Sequence, residues 1–191
     1  MQTAQHPPPR DGQALLGAIW SDLAQATTRR TGFTRAALAT ATADGQPRVR
    51  SIIVRDFTTN PARIAFATAM RSAKVMEIRH NPQVGLLFYD DDRSVQCRVE
   101  GLATVVTDDV TRRRAWEALG SHTRQTYESA AIPEALHDTV DESDQRTPFE
   151  RFAWISVDLK AIDWLDLSEQ PHQRWQFQRQ GAAWDGQLVN P

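Results

Sequence analysis

The sequence predicts a mainly β protein, an antiparallel β-barrel with peripheral helices. Three observations carry that expectation. Six to eight segments have strand character. Tight-turn signals join most of them: Asp44-Gly45, Asn60-Pro61, Asp90-Asp91-Asp92 and Gly181. Sequence neighbours joined by such turns pair antiparallel. Helical patterns are few and short, and a barrel is the closure that leaves no exposed strand edge.

Taken in order, the polar, proline-rich residues 1–10 read as a loose tail, and residues 11–191 as one domain. Asp11 can cap a helix whose apolar stripe is Leu15, Leu16, Ile19, Trp20 and Leu23, and the polar run Thr27 to Gly32 ends it. Ala36 to Thr42 and Pro47 to Phe57 are strands around the Asp44-Gly45 turn, where glycine supplies the positive φ. Arg63 to Thr68 is a third strand. Ser72 to His80 is a short helix with Ser72 as its cap, stopped before Asn81-Pro82. Val84 to Tyr89 and Ser94 to Val106 are the fourth and fifth strands. Asp108 to Leu119 and Thr123 to Ala130 read as helices, and 131–148 as an irregular polar loop. Arg151 to Leu159, Ala161 to Leu167, Trp175 to Arg179 and Ala183 to Val189 return to strand character.

Composition narrows the function. The chain of 191 residues has a net charge of −2, which gives no global attraction to nucleic acid or an acidic membrane. A single cysteine, Cys97, excludes an intrachain disulfide and a multi-cysteine metal site, and no metal is expected. Its place in an alternating strand makes it a core residue rather than a reactive thiol. The N-terminus lacks the apolar stretch of a signal peptide and no long apolar run follows, so the expected location is cytoplasmic.

The most unusual segment is Arg48-Val49-Arg50-Ser51-Ile52-Ile53-Val54-Arg55, with Arg71 and Lys74 about one strand later. A barrel strand avoids charge unless the charge meets a partner. Lys74 falls in the first turn of the helix that Ser72 begins, where backbone N–H groups are unpaired and the helix end is partly positive. A cation there is mildly unfavourable alone and favourable when an anion binds between them. Two readings stand on this pattern: solvated arginines with a chance lysine, or a phosphate site.

The ordered set of hairpin strand, Arg50-Ser51-Ile52-Ile53-Val54-Arg55, strand ending at Thr68, Ser72-Ala73-Lys74 helix, Leu86-Leu87-Phe88-Tyr89 strand and Gln96 strand leading to Glu100-Gly101 resembles the pyridoxamine 5′-phosphate oxidase family of FMN-binding split barrels. The C-terminal half adds Ile162-Asp163-Trp164, then Pro171-His172-Gln173-Arg174, then Trp184 to Pro191. The resemblance covers roughly 33–107 and 150–191. It implies an FMN cofactor, with Arg50 and Lys74 on its phosphate, Ser51, Ile52, Ile53 and Val54 beside the flavin, and Arg55, Thr68 and Ser72 in the site. It also implies that Gln96 reaches the flavin across a dimer interface, and that Trp164 and Arg174 complete the site from the C-terminal segment, 150–191. A homodimer with both subunits lining each flavin follows from the resemblance. Arg55 and His172 are the implied substrate contacts. Each role has a plainer alternative: Trp164 in the core, Gln96 facing solvent, Thr68 satisfying a strand end.

The chain also departs from the family. The helix start carries Ala73-Lys74 where the family has two basic residues, with Arg71 as a neighbouring substitute. Arg55 replaces a lysine, which keeps charge and changes reach. The tyrosine, arginine and serine that bind the substrate's phosphate are missing from Arg112 to His122, where Arg112 to Arg114 reads as an exposed helix face. The Glu169-Gln170-Pro171 stretch lacks the substrate arginine that precedes His172. The expectation is therefore an FMN-dependent oxidoreductase acting on an unidentified small molecule. True pyridoxamine 5′-phosphate oxidase activity, a non-catalytic flavin-binding or flavin-sensing role, and a deazaflavin or haem in place of FMN remain as alternatives.

Overall fold

A computed structural model describes residues 11–128, 144–168 and 170–191. The predicted tail, Ser129, Ala130, most of the 131–148 loop and Glu169 lie outside the described residues.

Helix α1 (Gly12–Thr28) starts at Asp11, whose carboxylate accepts from the Gln13 N–H at 3.0 Å. Its buried stripe is Leu15, Leu16, Ile19, Leu23 and Ala26. Trp20, only half-buried, wedges between Phe57 and Trp184 at ring separations of 5.5 and 5.4 Å. Strands β1 (Arg35–Ala41) and β2 (Pro47–Thr59) form the expected hairpin, in register Ala41 to Pro47 and Arg35 to Ile53. Gly45 turns it with φ +83°, a backbone state that glycine adopts without a Cβ clash.

Strands β3 (Ala62–Ala69), β4 (Gln83–Asp90), β5 (Val95–Val105) and β6 (Phe152–Asp166) complete a closed six-stranded antiparallel barrel in the order β3-β2-β1-β4-β5-β6, sealed by β3 against β6. β7 (Gln173–Gln180) and β8 (Ala183–Val189) extend the sheet from the far half of β6. This is the split-barrel architecture expected. Alternation is strict where it matters: in β5 every odd residue from Val95 to Val105 is buried, and the even ones face out. The interior holds Leu38, Phe66, Phe88, Cys97, Ile155 and Phe177, each no more than 1% exposed. Burial pushes the Cys97 thiol up, so it stays protonated and inert, as a core residue should.

Several local expectations change. The two strands expected on either side of Lys160 are one strand, β6, which is long enough to pair with β3, β5 and β7 in turn. Lys160 is a bulge within it, opposite the Glu100–Gly101 step. A Cβ on Gly101 would meet the Asp158 carbonyl oxygen at 2.6 Å and Val157 Cγ1 at 2.8 Å. Gly101→Ala is therefore expected to cost about 1–3 kcal/mol through overpacking, read as a lower melting temperature with an unchanged circular-dichroism spectrum.

The helices are also trimmed. After α2 (Ala73–His80), helix α3 (Asp109–Ala118) is capped by Asp108, and α4 spans only Ser121–Gln125. Helix α5 (Pro148–Arg151) occupies the end of the expected loop and the first residue of an expected strand. It is built on a capping box between Thr147 and Glu150. The Arg112 to Arg114 run is not a uniformly exposed face. Arg112 has 12% side-chain exposure, stacks on Phe149 at 4.7 Å and donates to the Phe152 carbonyl at 3.0 Å. It pins α3 to the start of β6. Beneath it Trp116, Tyr127, Phe149, Phe152 and Trp154 form a second aromatic cluster on the outer side of the barrel.

Candidate functional site

Strand β2 sorts the basic segment onto two faces by its period of two. Ile52 and Val54 point into the core at 6% and 2% exposure. Val49, Ser51, Ile53 and Arg55 therefore face outward. Arg55 is the extra residue of a β-bulge between Val54 and Asp56, which re-aims its side chain relative to a regular strand.

A cavity of about 360 Å³ opens where this outer face meets the end of β3 and the first turn of α2. Ser51, Ile52, Ile53, Arg55, Thr68 and Lys74 all line it. Six of the expected site residues are thus assembled by three elements distant in sequence. A second cavity of about 810 Å³ adjoins the first along β2 and shares Arg35, Ser51, Ile53 and Arg55 with it.

Other expected residues sit differently. Ser72 occupies the cap position of α2, yet its side chain makes no capping bond. It is fully buried behind the cavity, with Oγ 3.3 Å from Thr68 Oγ1. Arg50 turns away from the outer face. Its Nη2 donates to Glu77 Oε2 at 2.7 Å, and its Nη1 donates to Thr40 Oγ1. The Val54 N–H is taken by the Thr34 carbonyl at 3.0 Å. Arg71, the suggested substitute for the missing basic residue, lies 3.8 Å from Asp144, a carboxylate with 4% side-chain exposure that also holds Arg146 and Arg151. Those bonds, led by Arg146, hold the Asp144 carboxyl well below the usual range.

Gln96, Arg174 and His172 lie beyond the lining of this cavity. The register shows why. Ser51, Ala37, Leu87, Arg98, Asp163 and Gln176 are successive cross-strand partners across β2, β1, β4, β5, β6 and β7. Gln96, Leu165 and Arg174 form the neighbouring row. Five inter-strand steps put Arg174 about 24 Å from Ser51, measured along the sheet. Trp164 points inward, is 6% exposed and packs in the main core.

At the far end of that face, Asp163 accepts from Arg174 at 2.7 Å, Arg98 at 2.6 Å and Gln176 at 3.0 Å. Partial burial alone would raise its carboxyl, but these bonds outweigh burial and hold it at about 2. A depressed carboxyl stabilises the fold above its unfolded value and ceases to do so as pH falls through the folded value. Asp163→Asn is therefore expected to flatten the loss of stability between about pH 4 and pH 2, as followed by melting temperature across that range. An identical slope in the variant would show that Asp163 does not contribute to acid unfolding.

Residues missed in the sequence also line the first cavity: Arg35, Ala67, Thr123 and Tyr127. Arg35 was available in principle, since counting back from the Asp44-Gly45 turn sets it opposite Ile53. Nothing local marks Thr123 or Tyr127, which arrive from the α4 region by tertiary packing. Burial pushes the Tyr127 phenol up to about 12 against the opposing influence of Arg55, so at neutral pH it is a hydrogen-bond donor. Among the described residues, no group of three or more His, Cys, Asp or Glu is placed to hold a metal ion. No described helix is long and apolar enough to cross a membrane.

The sequence model of the family described as pyridoxamine 5′-phosphate oxidase matches residues 24–163. The pyridoxine/pyridoxamine 5′-phosphate oxidase of Erythrobacter litoralis is 31% identical over 171 residues, covering 81% of this chain and 80% of its own. That of Granulibacter bethesdensis is 33% identical over 172 residues, covering 81% and 79%. Two solved structures share the fold. One is a pyridoxamine 5′-phosphate oxidase-related, FMN-binding protein from Nostoc punctiforme, with a TM-score of 0.77 at 24% identity over 98% of this chain and 99% of that one. The other is PhzG from Burkholderia lata in complex with tetrahydrophenazine-1-carboxylic acid, with a TM-score of 0.69 at 20% identity over 97% and 95%. By barrel order and by sequence over four-fifths of its length, this chain belongs to the pyridoxamine 5′-phosphate oxidase family.

Proposed function

We propose that this protein is an FMN-dependent oxidoreductase that works as a homodimer. The observation that carries the reading is the cavity at the α2 N-terminus, which gathers Ser51, Ile52, Ile53, Arg55, Thr68 and Lys74 in a chain of this family. The donor set fits the group. An ammonium, a guanidinium, hydroxyls and the positive end of a helix suit a phosphate, and Ile52 and Ile53 offer apolar contact to a ring system. When bound, FMN supplies the hydride and electron transfer; the protein supplies binding, orientation and electrostatics. Lys74 and the first turn of α2 would hold the phosphate, with Thr68 donating beside them. Arg55, aimed by its bulge, would put positive charge between the cofactor and the second cavity.

The dimer reading rests on the outer sheet face. Gln96 and Arg174 share that face with Ser51 but lie several strands away, so a second copy is needed to bring them to the Lys74 cavity. The face between them sets small and apolar residues, Ala37, Ala39, Gly85 and the exposed Val49 and Leu87, beside the polar Arg98, Glu100, Gln176 and Gln178. That is the composition of a surface that is covered in the assembled state.

The substrate remains to be assigned, and one observation favours the activity for which the curated relatives are named. Arg35, Arg55, Thr123 and Tyr127 surround the cavity with guanidinium and hydroxyl donors, although the family's own phosphate-binding trio is missing. The deciding experiment begins with the purified protein. A yellow solution that releases FMN on denaturation supports the proposal. A colourless protein whose melting temperature FMN does not raise would sink it. Oxygen uptake with pyridoxamine 5′-phosphate then separates that activity from an oxidoreductase of other specificity. Flavin binding without turnover on any reductant would leave a binding protein.

A further inference from the structure

Arg50 poses a problem that the phosphate reading alone does not solve. It sits on the inward-facing side of β2, where an arginine is costly unless it is paired. Its guanidinium has 19% side-chain exposure at the end of the barrel that α2 covers. Two buried acceptors meet it there. Glu77, in α2 one turn beyond Lys74, has 8% side-chain exposure and takes Nη2 at 2.7 Å. Thr40, 5% exposed on β1, takes Nη1 and donates its own proton to Glu77 Oε2 at 2.5 Å. The three side chains form a closed set: every bond of the guanidinium fork to Glu77 or Thr40 is backed by a bond between those two. Arg50 Nε makes no bond within the set.

A free arginine side chain has several rotatable bonds and loses about 2 kcal/mol of rotamer entropy when held in one geometry. Here that loss is taken on folding, before any ligand arrives. Glu77 also balances the charge of Arg50 in the empty protein, so the guanidinium can stay at the barrel end rather than swing to water. Glu77 and Lys74 lie three residues apart and so share a side of α2. The carboxylate thereby ties the Arg50 cation to the same short helix whose first turn presents Lys74.

We propose that Glu77, assisted by Thr40, is a positioning residue that holds Arg50 ready for the phosphate of the cofactor. The proposal rests on the flavin-phosphate reading above and adds Arg50 to it, because Glu77 fastens Arg50 to α2 one turn beyond Lys74. Glu77 itself touches neither ring nor phosphate. It acts through Arg50, and its removal acts on the phosphate contribution to binding alone.

The test compares FMN with riboflavin, which carries the same ring without the phosphate. Dissociation constants for both are measured by flavin fluorescence quenching on the apoprotein of the wild type, Glu77→Gln, Arg50→Ala and the double variant. The wild type is expected to prefer FMN. Glu77→Gln is expected to reduce that preference about tenfold while riboflavin affinity holds. In the Arg50→Ala background the same change is expected to have no further effect, because the residue through which it acts is gone. That non-additivity is the signature a merely structural glutamate would not give. An unchanged or increased FMN preference in Glu77→Gln, or full additivity in the double variant, would overturn the proposal. If Glu77→Gln does not fold, Thr40→Val removes two bonds of the same set, those to Arg50 and to Glu77, and its FMN preference must fall several-fold. A wild type that binds both flavins equally refutes the phosphate reading itself, and this inference with it.

Discussion

Lys74→Ala is expected to weaken FMN binding by about 10- to 100-fold, the worth of one charge-assisted contact to a phosphate, while leaving the fold of the apoprotein intact. The two effects separate because of where Lys74 stands. It is the second residue of α2, where the helix end is partly positive and the first turn carries no acidic residue. A cation there opposes the helix dipole by a few tenths of a kcal/mol to about 1 kcal/mol. The same charge lines the cavity with Thr68 and Arg55. A bound anion makes the arrangement favourable. Lys160→Ala is the control: Lys160 lies at the bulge of β6, bonds Asp158 and lines none of the site cavities. Equal FMN affinities for the two variants, measured by titration of apoprotein, would remove Lys74 from the phosphate site.

Phe152→Ala is expected to be the most destabilising single change near the site, at about 3–5 kcal/mol. For a chain of this size that lowers the melting temperature by roughly 10 °C. Phe152 is 0% exposed and begins β6, the strand that closes the barrel. Its ring meets Trp116 at 5.4 Å, Tyr127 at 5.6 Å and Trp154 at 6.2 Å. Removing it opens a void that these rings cannot collapse into together, since Trp116 is held by α3 and Trp154 by β6. The effect reaches function because Tyr127 lines the cavity from this cluster. The variant is therefore expected to lose affinity for an anionic ligand at the Arg55 side as well as stability. Phe152→Leu, which refills most of the volume, is expected to recover the larger part of both. Differential scanning calorimetry and ligand titration on the two variants check this. A melting temperature unchanged in Phe152→Ala would show that the outer aromatic cluster does not fold with the barrel.

The positions of these residues show what a linear reading can reach. The β1–β2 hairpin was legible because Asp44-Gly45 fixes the turn, and the turn fixes the register back to Arg35. The inward placement of Cys97 followed from the alternation of its strand. The α1 stripe followed from the helical period of about 3.6. Lys74 at a helix start was legible from Ser72 and Asn81-Pro82 on either side of the helix. What pattern could not supply was the bulge at Arg55 and the continuity of β6 across Lys160, because a bulge is a property of a pair of strands and leaves no mark on either alone. Nor could it show that Arg112 is buried under Phe149, since a charged run on a helix looks solvated until a partner element is known.

Beyond what the family resemblance implied, the sequence by itself determined an antiparallel barrel, a basic segment on its second strand and a helix that begins near Lys74. Local propensity and short-range register decide these, and both are written in adjacent residues. The tertiary structure alone decided which of the cations share a cavity. It set Lys74 and Arg55 together with Thr68, turned Arg50 onto Glu77, took Arg71 to Asp144, and left Arg174 on Asp163 several strands away. Arginines in this chain are common and chemically alike, so no local rule ranks them. What each one meets in the folded chain is settled by barrel closure, which brings strands distant in sequence to one edge and assigns each charge its neighbour.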